Sequence, residues 1–292
     1  MPELPEVETL VRGLRDQLTH LRFSKVAVNL KKCVRESPRS FAHFLEGKKI
    51  LLVERRGKNI IMRLSGGNAL LVHLRMTGGL RVVPEEAPLE KHTHVVFSFQ
   101  GRPWQLRFLD PRQFGRMGVE KDRGRGELAS LAALGPEPLE ISSKEFVSLV
   151  RSKRRSLKPL LLDQRFLAGV GNIYADEALH RAHIHPRQRS EALERRAISR
   201  LYRALRQILR EAIRAGGTSV RTFADARGSA GRFQKFLRVY GREGEACRTC
   251  GEAIVREKVG GRSTYYCPRC QPVPRLSRGE RSEEKVVLDR GN

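Results

Sequence analysis

Four of the five cysteines form two Cys-x2-Cys pairs, Cys247 with Cys250 and Cys267 with Cys270, and sixteen residues separate the pairs. This spacing is typical of four thiolates that hold one Zn²⁺ ion on two hairpin knuckles. Because four protein ligands complete a tetrahedral coordination sphere, the sequence predicts a structural zinc ion rather than a catalytic one. Two separate redox pairs are the alternative interpretation of the same spacing.

Two carboxylates near the start of the chain lie where a buried face is predicted. An apolar stripe at helical spacing predicts a helix over residues 2–19: Val7, Leu10, Val11, Leu14 and Leu18. Pro2 and Pro5 fall in its first turn, where helices tolerate proline. Glu3 and Glu6 precede members of the stripe by four residues, so both face the same side. A carboxylate on that side is costly unless it has a partner or a chemical role.

The chain carries a large positive charge, with 57 Lys and Arg against 32 Asp and Glu and a net charge of +25. This excess is more than solubility requires and favours a polyanionic partner, because each cation set against a phosphate releases a condensed counterion. No apolar run is long enough to span a bilayer. The start, MPELPEVETL, lacks the basic and apolar regions of a signal peptide. We therefore expect a cytosolic protein that binds nucleic acid.

Residues 23–120 show the alternating pattern typical of strands. Five segments with this pattern are separated by glycine, proline or charged turns: 25–30, 48–64, 69–76, 94–99 and 104–110. They predict an antiparallel β-sandwich or barrel. Residues 121–143 are rich in glycine, proline and charge, and this composition indicates a linker between domains.

Residues 144–215 are predicted to be helical. A glycine-rich turn, AGVGN, leads into the segment IYADEALHRA with Asn172 as its N-cap. A longer helix follows and ends at Gly216 and Gly217. Residues 217–241 contain several glycines and little periodicity, which indicates a mobile loop.

The four-cysteine module has the pattern of a small hairpin. Gly260 and Gly261 predict its turn, and Arg262, just past that turn, is placed to reach a phosphate. The polar residues 271–292 are typical of a disordered tail.

The motifs of the chain, in their order, resemble those of the formamidopyrimidine-DNA glycosylases, bacterial enzymes that repair 8-oxoguanine in DNA. The matching segments are MPELPEVET at the start, GKNI at 57–60, HLRMTG at 73–78, LDPRQFG at 109–115, residues 161–186 and the four-cysteine module. The resemblance covers residues 1–271. It implies an α+β fold with an N-terminal β-sandwich flanked by helices, a helix–two-turn–helix domain and a C-terminal four-cysteine zinc finger.

Composition and resemblance together place the domain boundaries. We expect a catalytic domain over 1–120, a linker over 121–143, a helix–two-turn–helix DNA-binding domain over 144–240, a zinc finger over 241–271 and a disordered tail over 272–292. A lesion-capping loop is expected over 217–231.

The resemblance assigns four catalytic residues: Pro2, Glu3, Lys58 and Arg262. Removal of the initiator methionine would expose the secondary amine of Pro2. An α-amino group, with a pKa of about 8, is a better nucleophile at neutral pH than a free lysine, with a pKa of about 10.4. Glu3 corresponds to the proton donor in base release and Lys58 to the general acid of β-elimination. Arg262 corresponds to the zinc-finger arginine of δ-elimination and phosphate holding, and Glu6 is either catalytic or structural.

The resemblance also assigns DNA contacts. The DNA-binding positions are His92, Arg112, Lys153 and Asn172. A base inside a duplex is reached only by flipping it out, and the vacated space needs a filler. Met76 corresponds to an apolar plug, Arg112 to the partner of the orphaned cytosine and Phe114 to an aromatic wedge.

The implied function is base-excision repair. The family removes 8-oxoguanine and formamidopyrimidines from duplex DNA through a Schiff base at the position of Pro2, then cleaves the strand by β,δ-elimination. The implied partner is damaged double-stranded DNA, with a monomeric enzyme, no membrane association and no obligatory protein partner. The implied location is the bacterial cytoplasm, in association with the nucleoid.

Two other functions are weighed against this one. The endonuclease VIII-like enzymes share the zinc finger and the N-terminal proline but prefer oxidised pyrimidines. Leu4 and Pro5, with the run FxxxLxVYGREGEAC at 233–247, are typical of the purine branch. A non-enzymatic zinc-finger DNA-binding protein would explain the charge and the cysteines but not the proline and acids at the N-terminus.

Overall fold

The computed structural model describes residues 1–122, 128–219, 223–226 and 228–273. In its N-terminal half these residues form two α-helices and eight strands: α1 (Leu4–Leu18), β1 (Phe23–Val28), α2 (Pro38–Leu45), β2 (Ile50–Arg56), β3 (Asn59–Leu64), β4 (Asn68–His73), β5 (Gly79–Pro84), β6 (Thr93–Phe99), β7 (Trp104–Leu109) and β8 (Arg116–Lys121). Parts of the predicted linker (123–127), lesion-capping loop (220–222 and 227) and tail (274–292) lie outside the described residues.

The eight strands form two antiparallel sheets with the orders β1-β6-β7-β5 and β2-β3-β4-β8. Side chains from both sheets and from the apolar stripe of α1 share one core. Phe23, Phe97 and Phe108 are fully buried there, and the Phe23 and Phe97 ring centroids are 5.8 Å apart. The predicted N-terminal β-sandwich flanked by helices is therefore confirmed.

Several elements differ from the sequence prediction. Helix α2 and strands β5 and β8 were not predicted, because each is short and buries few side chains. Helix α2 buries only Phe41 and Leu45, and β5 only Leu80. The first helix begins at Leu4 rather than residue 2, since Glu3 has the extended conformation of an N-cap.

The second half is helical and ends in a small hairpin. Its elements are α3 (Ser143–Arg151), α4 (Leu157–Leu162), α5 (Asn172–Arg181), α6 (Arg195–Arg214), β9 (Val255–Val259) and β10 (Arg262–Tyr266). The four helices enclose a second core, to which Leu4 of α1 also contributes. The first turn of α1 therefore lies at the junction of the two cores.

The N-cap of α5 is Gly171, not Asn172 as predicted. A Cβ atom at residue 171 would lie 2.3 Å from Cδ of Glu3, so the close approach of α1 excludes any side chain there. Asn172 is instead the first helical residue, and its Nδ2 donates to the carbonyl oxygen of Ser263 at 2.8 Å.

The segment between the two halves is packed where it is described. Buried Glu137 accepts hydrogen bonds from the amide of Gly57 at 2.6 Å and from the guanidinium groups of Arg55 and Arg56. Leu128 packs in a small apolar cluster on the outer side of β3 and β4. This segment therefore fixes the turn between β2 and β3. None of the described helices combines the length and apolar character needed to cross a bilayer.

Candidate functional site

The first turn of α1 buries the three polar or reactive residues singled out at the N-terminus. Pro2 is buried, and Glu3 and Glu6 are only 3% and 1% exposed. The prediction that both carboxylates face the buried side is confirmed. Met1, in contrast, is half exposed and lies with Pro2 on the wall of a cleft of about 700 Å³.

Glu3 joins α1 to the N-terminus of α5. Its carboxylate accepts hydrogen bonds from the amides of Ile173 at 2.9 Å and Tyr174 at 3.4 Å. These are otherwise unpaired amides of the first helical turn, where the helix dipole stabilises negative charge. The amide of Leu4 donates to the carbonyl of Gly169 at 3.0 Å. The glycine-rich turn before α5 thereby fixes the carboxylate next to residue 2.

Glu6 is the centre of a second buried network. Its carboxylate accepts hydrogen bonds from the amide of Glu3 at 2.8 Å, the amide of Thr218 at 2.7 Å and the hydroxyl of Tyr174 at 2.5 Å. Burial, followed by the charge of Glu3, raises the pKa of Glu6 from 4.5 to about 7. Glu6 thus links the first turn of α1 to the first residues of the loop that follows α6.

Lys58 is buried in the turn between β2 and β3, with 6% of its surface exposed. Burial lowers the pKa of Lys58, the carboxylates of Glu3 and Glu6 oppose that effect, and Arg262 adds to it. Lys58 therefore lies close enough to Glu3, Glu6 and Arg262 for their charges to change its pKa. A lysine with a lowered pKa is a better proton donor and acceptor near neutral pH than a free lysine.

A smaller basic cavity of about 240 Å³ opens beside Lys58. Its lining includes His73, Arg75 and Arg116. Burial, and then the charges of Arg75 and Lys58, lowers the pKa of His73 to about 4. His73 is therefore neutral at pH 7 and acts there as a hydrogen-bonding group, while its neighbours supply positive charge suited to an anion.

The larger cleft gathers residues from both halves of the chain. Its lining includes Pro2, Met76, Arg112, Thr218, Tyr240 and Tyr265. The N-terminal residues thus share the cleft with two loops of the β-sandwich, with the start of the loop after α6 and with the zinc-finger hairpin. The volume of the cleft, about 700 Å³, is typical of a site for one small-molecule-sized group.

Asp110 organises two loops of the β-sandwich at the cleft, residues 74–78 between β4 and β5 and residues 110–115 between β7 and β8, which we call the sandwich loops. This fully buried carboxylate accepts hydrogen bonds from the hydroxyl of Thr77, the amide of Arg112 at 3.2 Å and the amide of Gly115 at 2.7 Å. Gly115 is required because a Cβ there would lie 2.4 Å from the ring of Phe108. One buried acid therefore holds both loops in a fixed relation.

The tips of these loops expose large side chains. Met76 is 38% exposed and Phe114 46%, and the guanidinium of Arg112 lies 4.8 Å from the Phe114 ring centroid. Arg75 and Gln113 have positive φ angles of 55° and 58°. Non-glycine residues rarely adopt this conformation, which costs about 1–2 kcal/mol each. Both loops are therefore held with apolar and cationic side chains directed outward.

The four cysteines of the C-terminal module form a site that fits one zinc ion. Their Sγ atoms all lie within 4.8 Å of one another. The Sγ–Sγ distances are 3.9 Å between Cys247 and Cys270, and 3.4 Å from Cys250 to each of Cys267 and Cys270. Zn–S bonds of about 2.3 Å in a tetrahedron require S–S distances of about 3.8 Å. The geometry therefore fits the predicted structural zinc.

Buried polar contacts fix the zinc-finger hairpin to α5. Asp176 and Lys158 form a fully buried ion pair, and Asp176 also accepts from the amide of Tyr265 at 3.1 Å. Asn172 holds the neighbouring carbonyl of Ser263. Arg262, which begins β10 and is exposed, is thereby carried on a strand with two side-chain anchors.

Three family models match the chain in order. They are the formamidopyrimidine-DNA glycosylase N-terminal domain over residues 1–117, the helix–two-turn–helix domain of the same enzymes over 134–224, and a zinc finger found in formamidopyrimidine-DNA glycosylases and isoleucyl-tRNA synthetases over 244–273. The chain belongs to the formamidopyrimidine-DNA glycosylase family.

Members of this family resemble the chain over nearly all of its length. The formamidopyrimidine-DNA glycosylase of Pelotomaculum thermopropionicum is 49% identical over 94% of this chain and 100% of its own. That of Heliobacterium modesticaldum is 46% identical over 93% and 100%. The wild-type Lactococcus lactis enzyme, solved with DNA that contains N7-benzyl-Fapy-dG, superposes with a TM-score of 0.86 at 36% identity and covers 93% of this chain and 100% of its own.

The structure of this formamidopyrimidine-DNA glycosylase family member brings part of the predicted site together at the cleft and places the rest outside its described lining, with Lys58 on the smaller basic cavity. Pro2, Met76 and Arg112 line the cleft, and Glu3 lies directly behind Pro2. His92, with a φ of 68°, lies beside cleft-lining Lys91. Lys153 is exposed in the connection between α3 and α4 and does not line the described part of the cleft.

Sequence reasoning gave no role to several residues that shape the family site here. Asp110 and Asp176 are buried acids, and each has a partner far along the chain, Thr77 for Asp110 and Tyr265 for Asp176. Glu177 is a third, and it accepts from the amides of Arg238, Val239 and Tyr240 before the zinc finger. For Asp176 and Glu177 the sequence offered one signal. They are adjacent acids in the middle of a predicted buried helix, where a carboxylate requires hydrogen-bond partners.

Proposed function

We propose that this chain is a bifunctional DNA glycosylase and abasic-site lyase that removes 8-oxoguanine and formamidopyrimidines from duplex DNA. The observation that carries the proposal is the convergence of Pro2, Met76 and Arg112 on one cleft, with the buried carboxylate of Glu3 next to Pro2 in the chain and fixed by the first turn of α5. A mutant of the Lactococcus lactis enzyme solved with Fapy-dG DNA and a MutM protein solved with carbocyclic 8-oxoguanine DNA support the substrate class.

The nucleophile in this proposal is the secondary amine of Pro2, freed by removal of Met1. An α-amino group is about one-tenth unprotonated at pH 7, because its pKa is about 8. The amine forms a bond to the sugar C1′ while the C1′–N bond to the damaged base breaks and the base leaves with a proton. The bonded amine then loses its proton, the C1′–O4′ bond of the sugar breaks while O4′ takes up a proton, and an iminium between Pro2 and C1′ is left.

Strand cleavage follows from the iminium. Loss of the C2′ proton and rupture of the C3′–O bond complete β-elimination, and loss of the C4′ proton with rupture of the C5′–O bond completes δ-elimination. Water then hydrolyses the iminium and restores the amine. The steps are a substitution at C1′, proton transfers, two eliminations and a hydrolysis, none of which changes the overall oxidation state, so no oxidant or reductant is needed.

The proton transfers are assigned to residues beside the amine. Glu3 moves the proton at base release, because its carboxylate is fixed next to residue 2 by the amides of α5. Lys58 serves β-elimination, with the lowered pKa that burial gives it. Arg262 holds a phosphate at the δ-elimination step, since a guanidinium does not give up its proton in proteins.

The sandwich loops are assigned to the undamaged strand. Met76 and Phe114 are exposed apolar groups of the size that fills a gap between stacked bases. Arg112, whose guanidinium lies over the Phe114 ring, hydrogen-bonds the orphaned cytosine. His92, Lys153 and Asn172 contact phosphates.

The remaining assignments concern partners and domains. We propose a monomer in the bacterial cytoplasm, associated with the nucleoid, that needs no protein partner. The proposed domains are those of the sequence analysis: 1–120, the linker 121–143, 144–240, 241–271 and the tail 272–292. A structural zinc ion held by the four cysteines stabilises the hairpin that carries Arg262.

Trapping with borohydride tests the mechanism. Reduction of the iminium on a duplex with one 8-oxoguanine·cytosine pair is expected to link the protein covalently to DNA through Pro2, as peptide mass spectrometry would show. The matched control is the same protein with one residue retained before Pro2, which blocks the amine and leaves the fold unchanged. Strand cleavage at the wild-type rate by the blocked protein would overturn the mechanism. A trapped adduct on oxidised pyrimidines but not on 8-oxoguanine would overturn the substrate class.

A further inference from the structure

Helix α6 carries an unusual share of the positive charge of the chain. Its twenty residues, RRAISRLYRALRQILREAIR, contain seven arginines and one glutamate. The buried face is purely apolar and packs in the helical core: Ile198, Leu201, Ala204, Leu205, Ile208, Leu209 and Ala212. The fold therefore accounts for the apolar half of this helix and leaves its arginines to be explained.

Five of the arginines, with one glutamine, fall on a single line along the exposed side. We call this line the α6 stripe: Arg196, Arg200, Arg203, Gln207, Arg210 and Arg214. At 3.6 residues per turn its members lie within an arc of about 80°. At 1.5 Å per residue the stripe is about 27 Å long, which matches the rise of about eight base pairs.

Most of the stripe takes no part in intramolecular pairing. Arg196, Arg203, Arg210 and Arg214 are exposed, and none of them forms a hydrogen bond or ion pair with a residue in the described part of the chain. Arg206, which lies off the stripe, is half-buried and donates to two backbone carbonyls. These four exposed arginines are therefore free to bind an external anion.

The stripe is separate from the cleft. Within the described residues, no side chain of α6 lines the cleft. Thr218, four residues past Arg214, is the nearest lining residue along the chain, so the stripe runs away from the cleft toward Arg196. A lesion held in the cleft would leave most of the stripe uncovered.

We propose that the α6 stripe is a second DNA-binding surface, which holds the phosphate backbone of a duplex segment other than the one in the cleft. Guanidinium groups pair with phosphates without reading sequence, so the bound segment is undamaged DNA of any sequence. The α6 stripe lets the protein bind one duplex while another occupies the cleft. The proposal rests on the proposed function only in naming DNA as the polyanion.

The first test measures binding to a long undamaged duplex as a function of salt. The variant replaces Arg203, Arg210 and Arg214 with glutamine, and the matched control replaces three exposed cations of the sandwich half with glutamine: Lys25, Lys31 and Arg39. The slope of log K against log salt is expected to fall by about 2.7 in the variant, at about 0.9 for each phosphate that is no longer neutralised. Equal slopes for the wild type, variant and control, or an equal decrease in variant and control, would overturn the proposal.

The second test measures whether one protein molecule binds two duplexes at the same time. With the cleft filled by a duplex that carries a stable abasic-site analogue, the wild type and the control are expected to capture a second, labelled undamaged duplex, and the stripe variant is not. Capture by all three proteins, or by none, would overturn the proposal. Single-turnover excision on a short lesion duplex stays at the wild-type rate in the variant, so failure here leaves the borohydride result on Pro2 unaffected.

Discussion

Gly171→Ala tests the idea that a missing side chain, rather than backbone flexibility, sets the position of the catalytic carboxylate. The φ and ψ angles of Gly171 are −134° and −161°, which alanine adopts without strain. The obstacle is space alone, because the new Cβ would lie 2.3 Å from Cδ of Glu3 and 2.6 Å from its Oε1. Both are fixed by buried contacts, so the carboxylate has to move by more than about 1 Å to restore ordinary contact.

That displacement gives the expected magnitudes. It breaks the hydrogen bonds from the amides of Ile173 and Tyr174 to Glu3, and a buried unpaired amide costs about 1–3 kcal/mol. We expect the free energy of unfolding to fall by about 2–4 kcal/mol, since the second bond, at 3.4 Å, is already weak. A shift of about 1 Å in a group beside the reacting atoms lowers the rate by about 100-fold.

The assay pairs urea unfolding with single-turnover excision of 8-oxoguanine at a temperature where both proteins are folded. Gly13→Ala is the matched control, because its Cβ would meet only Ala226, at an ordinary 3.5 Å. Alanine inside α1 is expected to raise stability by about 0.5–1 kcal/mol and leave excision unchanged. Excision by Gly171→Ala within twofold of the wild type would refute the reasoning, whatever the change in stability.

Two buried carboxylates and the zinc site give three further predictions. The folded pKa of Glu6 is raised from 4.5 to about 7, so its favourable contribution to stability is present below pH 4.5 and is lost as pH rises through 7. The stability of the wild type relative to Glu6→Gln is therefore expected to fall between about pH 4.5 and 7, by up to about 3 kcal/mol, in urea titrations. Asp110→Ala is expected to lower stability by about 2–3 kcal/mol. It should also slow excision from duplex DNA more than cleavage at a single-stranded abasic site, where nothing has to be flipped. Removal of zinc by a chelator is expected to unfold the zinc finger and weaken binding to a lesion duplex, measured by fluorescence anisotropy.

Each of these has an outcome that contradicts it. A pH-independent difference between the wild type and Glu6→Gln would show that Glu6 does not titrate in this range. Equal decreases in rate on both substrates would mean that Asp110 does not act through the sandwich loops, and Asp110→Asn, which keeps one acceptor oxygen, should recover part of the activity. If the zinc-free protein bound DNA as tightly as the wild type, the zinc ion would not be needed to position Arg262 for DNA binding.

The sequence alone determined those features that depend on local pattern or on a fixed spacing. Alternation of apolar residues indicated the sandwich, and helical spacing indicated α1 with Glu3 and Glu6 on its buried side. The spacing of the four cysteines predicted the zinc site, because a metal fixes the ligands whatever the surrounding fold. The motifs indicated the family, and with it the proposed roles of Pro2 and Lys58.

Only the tertiary structure decided which residues pair across the chain. Glu3 caps a helix about 170 residues away, and that contact, not the local sequence, made Gly171 rather than Asn172 the N-cap. Asp110 and Asp176 have partners that no periodicity reveals, since a buried charge is stabilised by whichever donors the fold brings to it. The same holds for the α6 stripe, because only the fold shows that its four exposed arginines form no hydrogen bond or ion pair with the described residues.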